Sequence, residues 1–142
     1  MSYVFDASSI LALIRISGRR AVNLVWGNTT PSLAYYEIGN TLWKEHNLLQ
    51  RLNIEEVKHT LEFIFSLLNL MTIIPMNHPD LGLDTFSSAN RLHITFYDAA
   101  YLTIAHQQDK TLITEDKKLA TAAHKMGIKT SSAQDLTTRK NQ

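Results

Sequence analysis

The chain has 142 residues, 44% of them apolar and 19% charged, with 14 Lys and Arg against 13 Asp and Glu for a formal charge of +1. This length and balance predict a single globular domain over residues 1–142 whose last few residues form a flexible tail, and they exclude a disordered, collagen-like or multidomain chain. The longest apolar run, residues 10–14, falls far short of a membrane span, the opening residues lack the basic segment of a secretory signal, and no cysteine occurs. The expectation is therefore a cytoplasmic protein with no membrane contact, no disulfide and no thiolate metal site.

In chain order, Tyr3-Val4-Phe5 is a short β-prone run, and Asp6-Ala7-Ser8-Ser9 offers N-cap side chains to an apolar helical segment over 10–14 that ends near Gly18. A second short helix is predicted over 19–26. Residues 29–33 read as an extended turn into a helix over about 34–49, where Ile38, Leu42 and Leu49 recur at helical spacing and Glu37 falls near the first turn, favoured there by the helix dipole. Asn53-Ile54-Glu55-Glu56 has the spacing of a capping box, and Val57, Leu61, Ile64, Phe65 and Leu68 form a stripe of 3.6-residue period. That stripe reads first as core and second as a docking surface; Tyr35, Tyr36 and Trp43 read first as core aromatics and second as the border of a groove. Residues 70–74 are β-prone, Pro79 opens a helix through Leu92, and Asp98 heads a helix over 99–105. Residues 111–114 form a buried-strand candidate, Asp116 starts a helix over 117–126 stopped by Gly127, and 128–130 are strand-like. Short apolar strands alternating with helices predict a three-layer α/β/α sandwich on a mainly parallel sheet.

Asp6, Glu37, Asp98 and Asp116 each fall just past a predicted strand or in the opening turn of a helix. In a parallel sheet those positions share one edge, where open α/β folds form their ligand sites. Singly, each aspartate reads as an N-cap. Together they form an anionic cluster: two unit charges ~4 Å apart repel by roughly 4 kcal/mol at an effective dielectric of about 20. A divalent cation is the simplest compensation, and oxygen donors without cysteine or a paired-histidine spacing favour Mg²⁺ or Mn²⁺ over zinc. The histidines are scattered and match no metal-binding spacing. Such a centre suits phosphodiester hydrolysis. Arg15, Arg19 and Arg20, which follow the first helix, are the expected contacts to a nucleic-acid backbone.

Val4-Phe5-Asp6-Ala7-Ser8, Tyr36-Glu37-Ile38-Gly39-Asn40, Tyr97-Asp98-Ala99-Ala100-Tyr101-Leu102 and Leu112-Ile113-Thr114-Glu115-Asp116-Lys117-Lys118-Leu119 resemble, in order and spacing, the motifs of PIN-domain ribonucleases, in particular VapC-type toxins of toxin–antitoxin pairs. The resemblance runs from Tyr3 to about Leu136. It implies a compact α/β/α fold and a Mg²⁺- or Mn²⁺-dependent endoribonuclease whose metal-binding acids are Asp6, Glu37, Asp98 and Asp116, with the hydroxyls of Ser8 and Thr114 beside them and Asn40 one turn after Glu37. It further implies a homodimer silenced by an antitoxin whose C-terminal segment enters the acidic groove. Two readings from other classes stand beside it: a catalytically silent interaction module on the same fold, and an aspartyl phosphoryl-transfer domain, against which the absence of an Asp-x-Asp opening speaks. Glu115 is expected to point off the site face, by strand alternation with Asp116.

Overall fold

Segments of two or three strand residues cannot bury a face alone, so the chain stacks them edge to edge and covers both sides with helices. The computed structural model describes residues 2–140. Its strands, Tyr3–Phe5 (β1), Thr29–Pro31 (β2), Thr72–Ile74 (β3), Thr111–Ile113 (β4) and Thr130–Ser131 (β5), form one parallel sheet in the order β3-β2-β1-β4-β5. The helices are Ala7–Ser17 (α1), Ala21–Val25 (α2), Leu33–Asn47 (α3), Ile54–Leu68 (α4), Pro79–Leu92 (α5), Phe96–Gln107 (α6), Lys117–Lys125 (α7) and Ala133–Lys140 (α8), with a 3-10 turn over Gly18–Arg20.

Side-chain alternation along the strands divides the interior in two. Tyr3 and Phe5 of β1 and Ile113 of β4 face a core completed by α1, α2, α3, α4 and α8. Val4 and Leu112 face the opposite core, built with α6 and α7, against which α5 is laid along α6. This is the expected three-layer sandwich, and no helix among the described residues is long and apolar enough to cross a membrane. Strand order reverses direction at β1, whose neighbours are β2 and β4, so the crevice of the fold opens at the C-terminal end of that central strand.

Several elements differ from the sequence reading. α1 begins at Ala7, three residues earlier than the apolar run, because Asp6 caps it. Residues 29–31 are a strand rather than a turn; Thr29 and Thr30 are fully buried between β1 and β3, and Pro31 ends the strand where its missing N–H costs no ladder bond. α3 starts at Leu33, so Glu37 lies in its second turn and the dipole argument does not apply. Thr95, not Asp98, caps α6, which places Asp98 two residues after the first helical position. α8 was not expected: its sequence carries no apolar stripe, and it is held by burial of Ala133 and Leu136 and by two side-chain caps, Ser132 on the Asp135 N–H and Glu115 on the Ala133 N–H. The tail expected after it, Asn141 and Gln142, lies outside the described residues. The capping box of α4 forms as read, with Asn53 and Glu56 each accepting the other's backbone N–H.

The seam between β1 and β2 has a single register pair, Val4 with Thr29, and side chains reinforce it. Asn28 accepts the Tyr3 N–H at 3.0 Å, and the buried Thr30 hydroxyl donates to the Phe5 carbonyl at 2.8 Å. Thr30→Val keeps the shape and removes that bond, and should lower unfolding free energy by about 1–2 kcal/mol in urea denaturation with the slope unchanged; no loss would show that the hydroxyl adds nothing to the seam.

Candidate active site

Asp6 follows β1 directly, at the crevice. The residue is only 4% exposed, and burial raises its carboxyl pKa from the ordinary aspartate value despite the donors around it. One oxygen accepts the Ser9 N–H and the Ser8 hydroxyl, both at 2.8 Å, and the other accepts the Thr114 hydroxyl at 2.5 Å. The same two hydroxyls accept in turn from the loop after β4: the Glu115 N–H reaches Ser8 at 3.1 Å and the Asp116 N–H reaches Thr114 at 3.0 Å. Ser8 and Thr114 therefore fix the position of the 114–116 loop relative to Asp6. Asp116 caps α7, accepting from Lys118 and Leu119, and its side chain is exposed at the rim.

A cleft of about 610 Å³ runs outward from Asp6 between α1 and α3. Asp6, Glu37, Asp98 and Asp116 all line it, as do Ser8, Asn40 and Arg15. Glu37 is half-buried and accepts the Tyr101 hydroxyl at 2.5 Å. Burial raises the Glu37 pKa; the Tyr101 bond opposes that shift, and the charges of Asp98 and Asp6 add to it. Burial likewise raises the pKa of Asp98, with the charge of Asp116 second. None of the four acids has a Lys, Arg or His within ion-pairing distance among the described residues. Repulsion among the acids is thus left standing.

The donor set is all hard oxygen and its charge is uncompensated, which fits a hard divalent ion. Among the described residues no three carboxylate or imidazole side chains stand ready to grip one ion as a group. That is compatible with Mg²⁺, which keeps several waters and takes one or two carboxylates rather than a full protein cage.

Other expected site residues are dispersed. Arg19 is exposed on the 3-10 turn and does not line the cleft, and Arg20 lines a separate cavity between α1, α2 and α8. Tyr36 and Trp43, read first as core, stand 79% and 50% exposed on the outer face of α3, whereas Tyr35 packs edge-on against Phe65 of α4. Within the α4 stripe, Ile64 and Leu68 are buried, Val57 and Leu61 pack partly buried against the core, and Phe65 is part exposed. Glu115 lines the cleft rather than pointing away from it, because the chain leaves strand geometry after Ile113 and alternation no longer governs it. Sequence reasoning gave no role to two residues. Tyr101, which orients Glu37, stands three positions after Asp98 in the quoted motif and so on the same helix face, the one signal available. Lys44 lines the cleft seven residues after Glu37, also on one face.

No family model matches the chain. It is 33% identical over 125 residues, 84% of this chain and 93% of the relative, to ribonuclease VapC3 of Pyrobaculum aerophilum. It is 27% identical over 124 residues, 84% of each chain, to exonuclease VapC9 of the same organism. Its fold is similar to that of PAE2754 from Pyrobaculum aerophilum, with a TM-score of 0.76 and 24% identity over 98% of this chain and 94% of that one. The fold is also shared with a toxin–antitoxin complex from Klebsiella pneumoniae, with a TM-score of 0.56 and 21% identity over 84% of this chain and 90% of that one.

Because folding raises the pKa of Asp98, the folded state holds that proton more tightly than the unfolded one. The charge therefore costs nothing below the unfolded pKa, and its cost grows as pH rises from there through the folded value. With divalent ions chelated, Asp98→Asn should melt at a higher temperature than the wild type at neutral pH, the gap closing as pH falls below about 4. A gap that ignores pH in thermal melts would remove charge repulsion as its cause.

Proposed function

The chain belongs to the VapC family of PIN-domain ribonucleases, and on that premise we propose that it is a Mg²⁺- or Mn²⁺-dependent endoribonuclease acting as the toxin of a toxin–antitoxin pair. One observation carries the chemistry: four carboxylates from four separate elements share one cleft with no cation within ion-pairing distance among the described residues, and burial raises the pKa values of three, with repulsion from neighbouring acids adding at Glu37 and Asp98. A module released from catalysis gains nothing by keeping that repulsion. Support for the activity comes from the sequence relative named a ribonuclease, and support for the antitoxin partner from the fold shared with a toxin–antitoxin complex.

In this reading Asp6, Glu37, Asp98 and Asp116 would surround the metal, one or two of them binding it directly and the others through its waters. When bound, it supplies a water of lowered pKa and neutralises charge growing on the phosphoryl oxygens. The chain's own residues do the rest. Ser8 and Thr114 fix the Asp6 carboxylate by donating to its two oxygens, and Tyr101 fixes Glu37, so neither acid has to give up rotamer freedom when substrate arrives. Asn40 lines the wall beside Glu37, placed to hydrogen-bond a backbone oxygen, and Arg15 lines the opposite wall two turns outward from Ser8. Water displaces one ester oxygen, leaving a 5′-phosphate and a 3′-hydroxyl. We assign the working state to a homodimer, the form the family resemblance implies, and its location to the cytoplasm.

The test is cleavage of end-labelled single-stranded RNA with Mn²⁺. Internal fragments are expected, with loss of activity in chelator and a fall of about 100-fold or more for Asp98→Asn, the size of a metal's contribution to the transition state. Chelator-insensitive cleavage, or cleavage undiminished by Asp98→Asn, would refute the mechanism, and mononucleotides released only from an end would refute the endonucleolytic mode. Tyr101→Phe leaves Glu37 without its donor and should weaken Mn²⁺ binding about 10- to 100-fold by titration calorimetry while the protein still melts cooperatively; unchanged affinity would show that Glu37 needs no orienting.

A further inference from the structure

We propose that the outer end of the cleft is a phosphate subsite, formed by Arg15 and Lys44, and that Glu45 is the residue that positions Arg15 in it. The proposal rests on the nuclease reading above and adds where the RNA backbone is held away from the reacting phosphodiester.

The two cleft walls carry the same spacing. α1 presents Ser8, Leu11, Ala12 and Arg15, and α3 presents Glu37, Asn40, Thr41 and Lys44, each set at i, i+3, i+4 and i+7. Both helices start at the C-terminal edge of the sheet, so each begins beside the acids and ends its cleft face on a cation. Seven residues along a helix span about 10 Å, which puts Arg15 and Lys44 two turns outward from the anionic end. A polyanion lying in this groove meets the acids at one point and two cations further along the same line.

Lys44 has no carboxylate partner within ion-pairing distance among the described residues. Arg15 has one, and its placement is informative. Its Nη2 donates to Glu45 Oε1 at 2.5 Å; the Glu45 side chain is 11% exposed against 57% for Arg15, and Glu45 does not line the cleft. The carboxylate thus engages one of the guanidinium's five N–H donors from outside the cleft lining and leaves the others without a side-chain partner among the described residues. Arginine binds a phosphate with two parallel hydrogen bonds only when its plane is correctly set, and fixing that plane beforehand removes an entropic cost from binding. Glu45 sits one residue after Lys44, so a single helical turn of α3 supplies one cation to the site and orients the other.

The experiment compares steady-state cleavage, with Mn²⁺, of a long single-stranded RNA and of the shortest RNA that the wild type still cuts, which lacks the outlying phosphate. On the long RNA, Arg15→Ala, Lys44→Ala and Glu45→Gln should each raise KM several-fold with kcat nearly unchanged, and the two cation variants should each reduce the salt dependence of log affinity by about one. On the short RNA all three should match the wild type. Arg15→Ala combined with Glu45→Gln should be no worse than Arg15→Ala alone, because Glu45 acts through Arg15. Equal defects on both RNAs, an additive double variant, or a KM for Glu45→Gln that stays the same or falls would overturn the proposal, the last by showing Glu45 to be only a counter-charge. Thermal melts exclude unfolding as the cause. If the wild type leaves the long RNA uncut, the nuclease reading fails first and the subsite falls with it, an outcome distinct from a wild type that cuts while its three variants behave alike on both lengths.

Discussion

A carboxylate withdrawn from water at the end of the central strand is the constraint around which this molecule is organised. Burying Asp6 without compensation would cost several kcal/mol, and the surrounding chain offsets that with an amide and two hydroxyls aimed at its oxygens. The compensation is incomplete, as the raised pKa shows, but it has a geometric effect larger than its energy. Because Ser8 and Thr114 are bonded on both sides, to Asp6 and to the 115–116 backbone, they convert one buried charge into a fixed joint between β1, α1 and the loop after β4. The crevice inherent in the sheet's strand order becomes a particular cleft with a particular floor.

Charge is then graded along that cleft. Acids gather at the sheet edge, where helix N-termini with their free amides partly counter them, and cations stand two turns outward on the same two helices. A balance of +1 over the whole chain conceals this separation completely. Local segregation of sign, rather than net charge, is what allows an acidic pocket to face a polyanion.

Much of this was legible in the sequence where a residue's role is set by its immediate neighbours. Asp6 and Asp116 as caps, the Asn53–Glu56 box and the helical stripe of α4 follow from local hydrogen bonding and periodicity, and the alternation of short strands with helices implied the parallel sandwich. Illegible features were those decided by contacts distant in the chain. Residues 29–31 read as a turn because Pro31 and Ser32 punctuate the segment, although its threonines favour a strand, and burial between two strands makes them sheet. α8 lacks a periodic stripe; burial of Ala133 and Leu136 and a cap from Glu115, eighteen positions earlier, help to hold it. Tyr36 and Trp43 were read as core on hydrophobicity alone, and only the packing of α3 against α4 through Tyr35 and Phe65 decides which aromatics face inward. The site followed the same division: the four acids were found by their place at element boundaries, whereas Lys44 and Glu45, mid-helix and unremarkable in composition, acquire meaning only beside α1.

The bond between Thr114 and Asp6 spans 108 positions, and this separation has a temporal meaning during biosynthesis. A nascent chain carrying β1 and α1 already has the Ser8 and Ser9 donors for its first acid, but the Thr114 donor arrives only when the fourth strand has been translated and laid alongside. The joint that fixes the floor of the cleft is therefore among the last parts of the site to be completed as the chain is made.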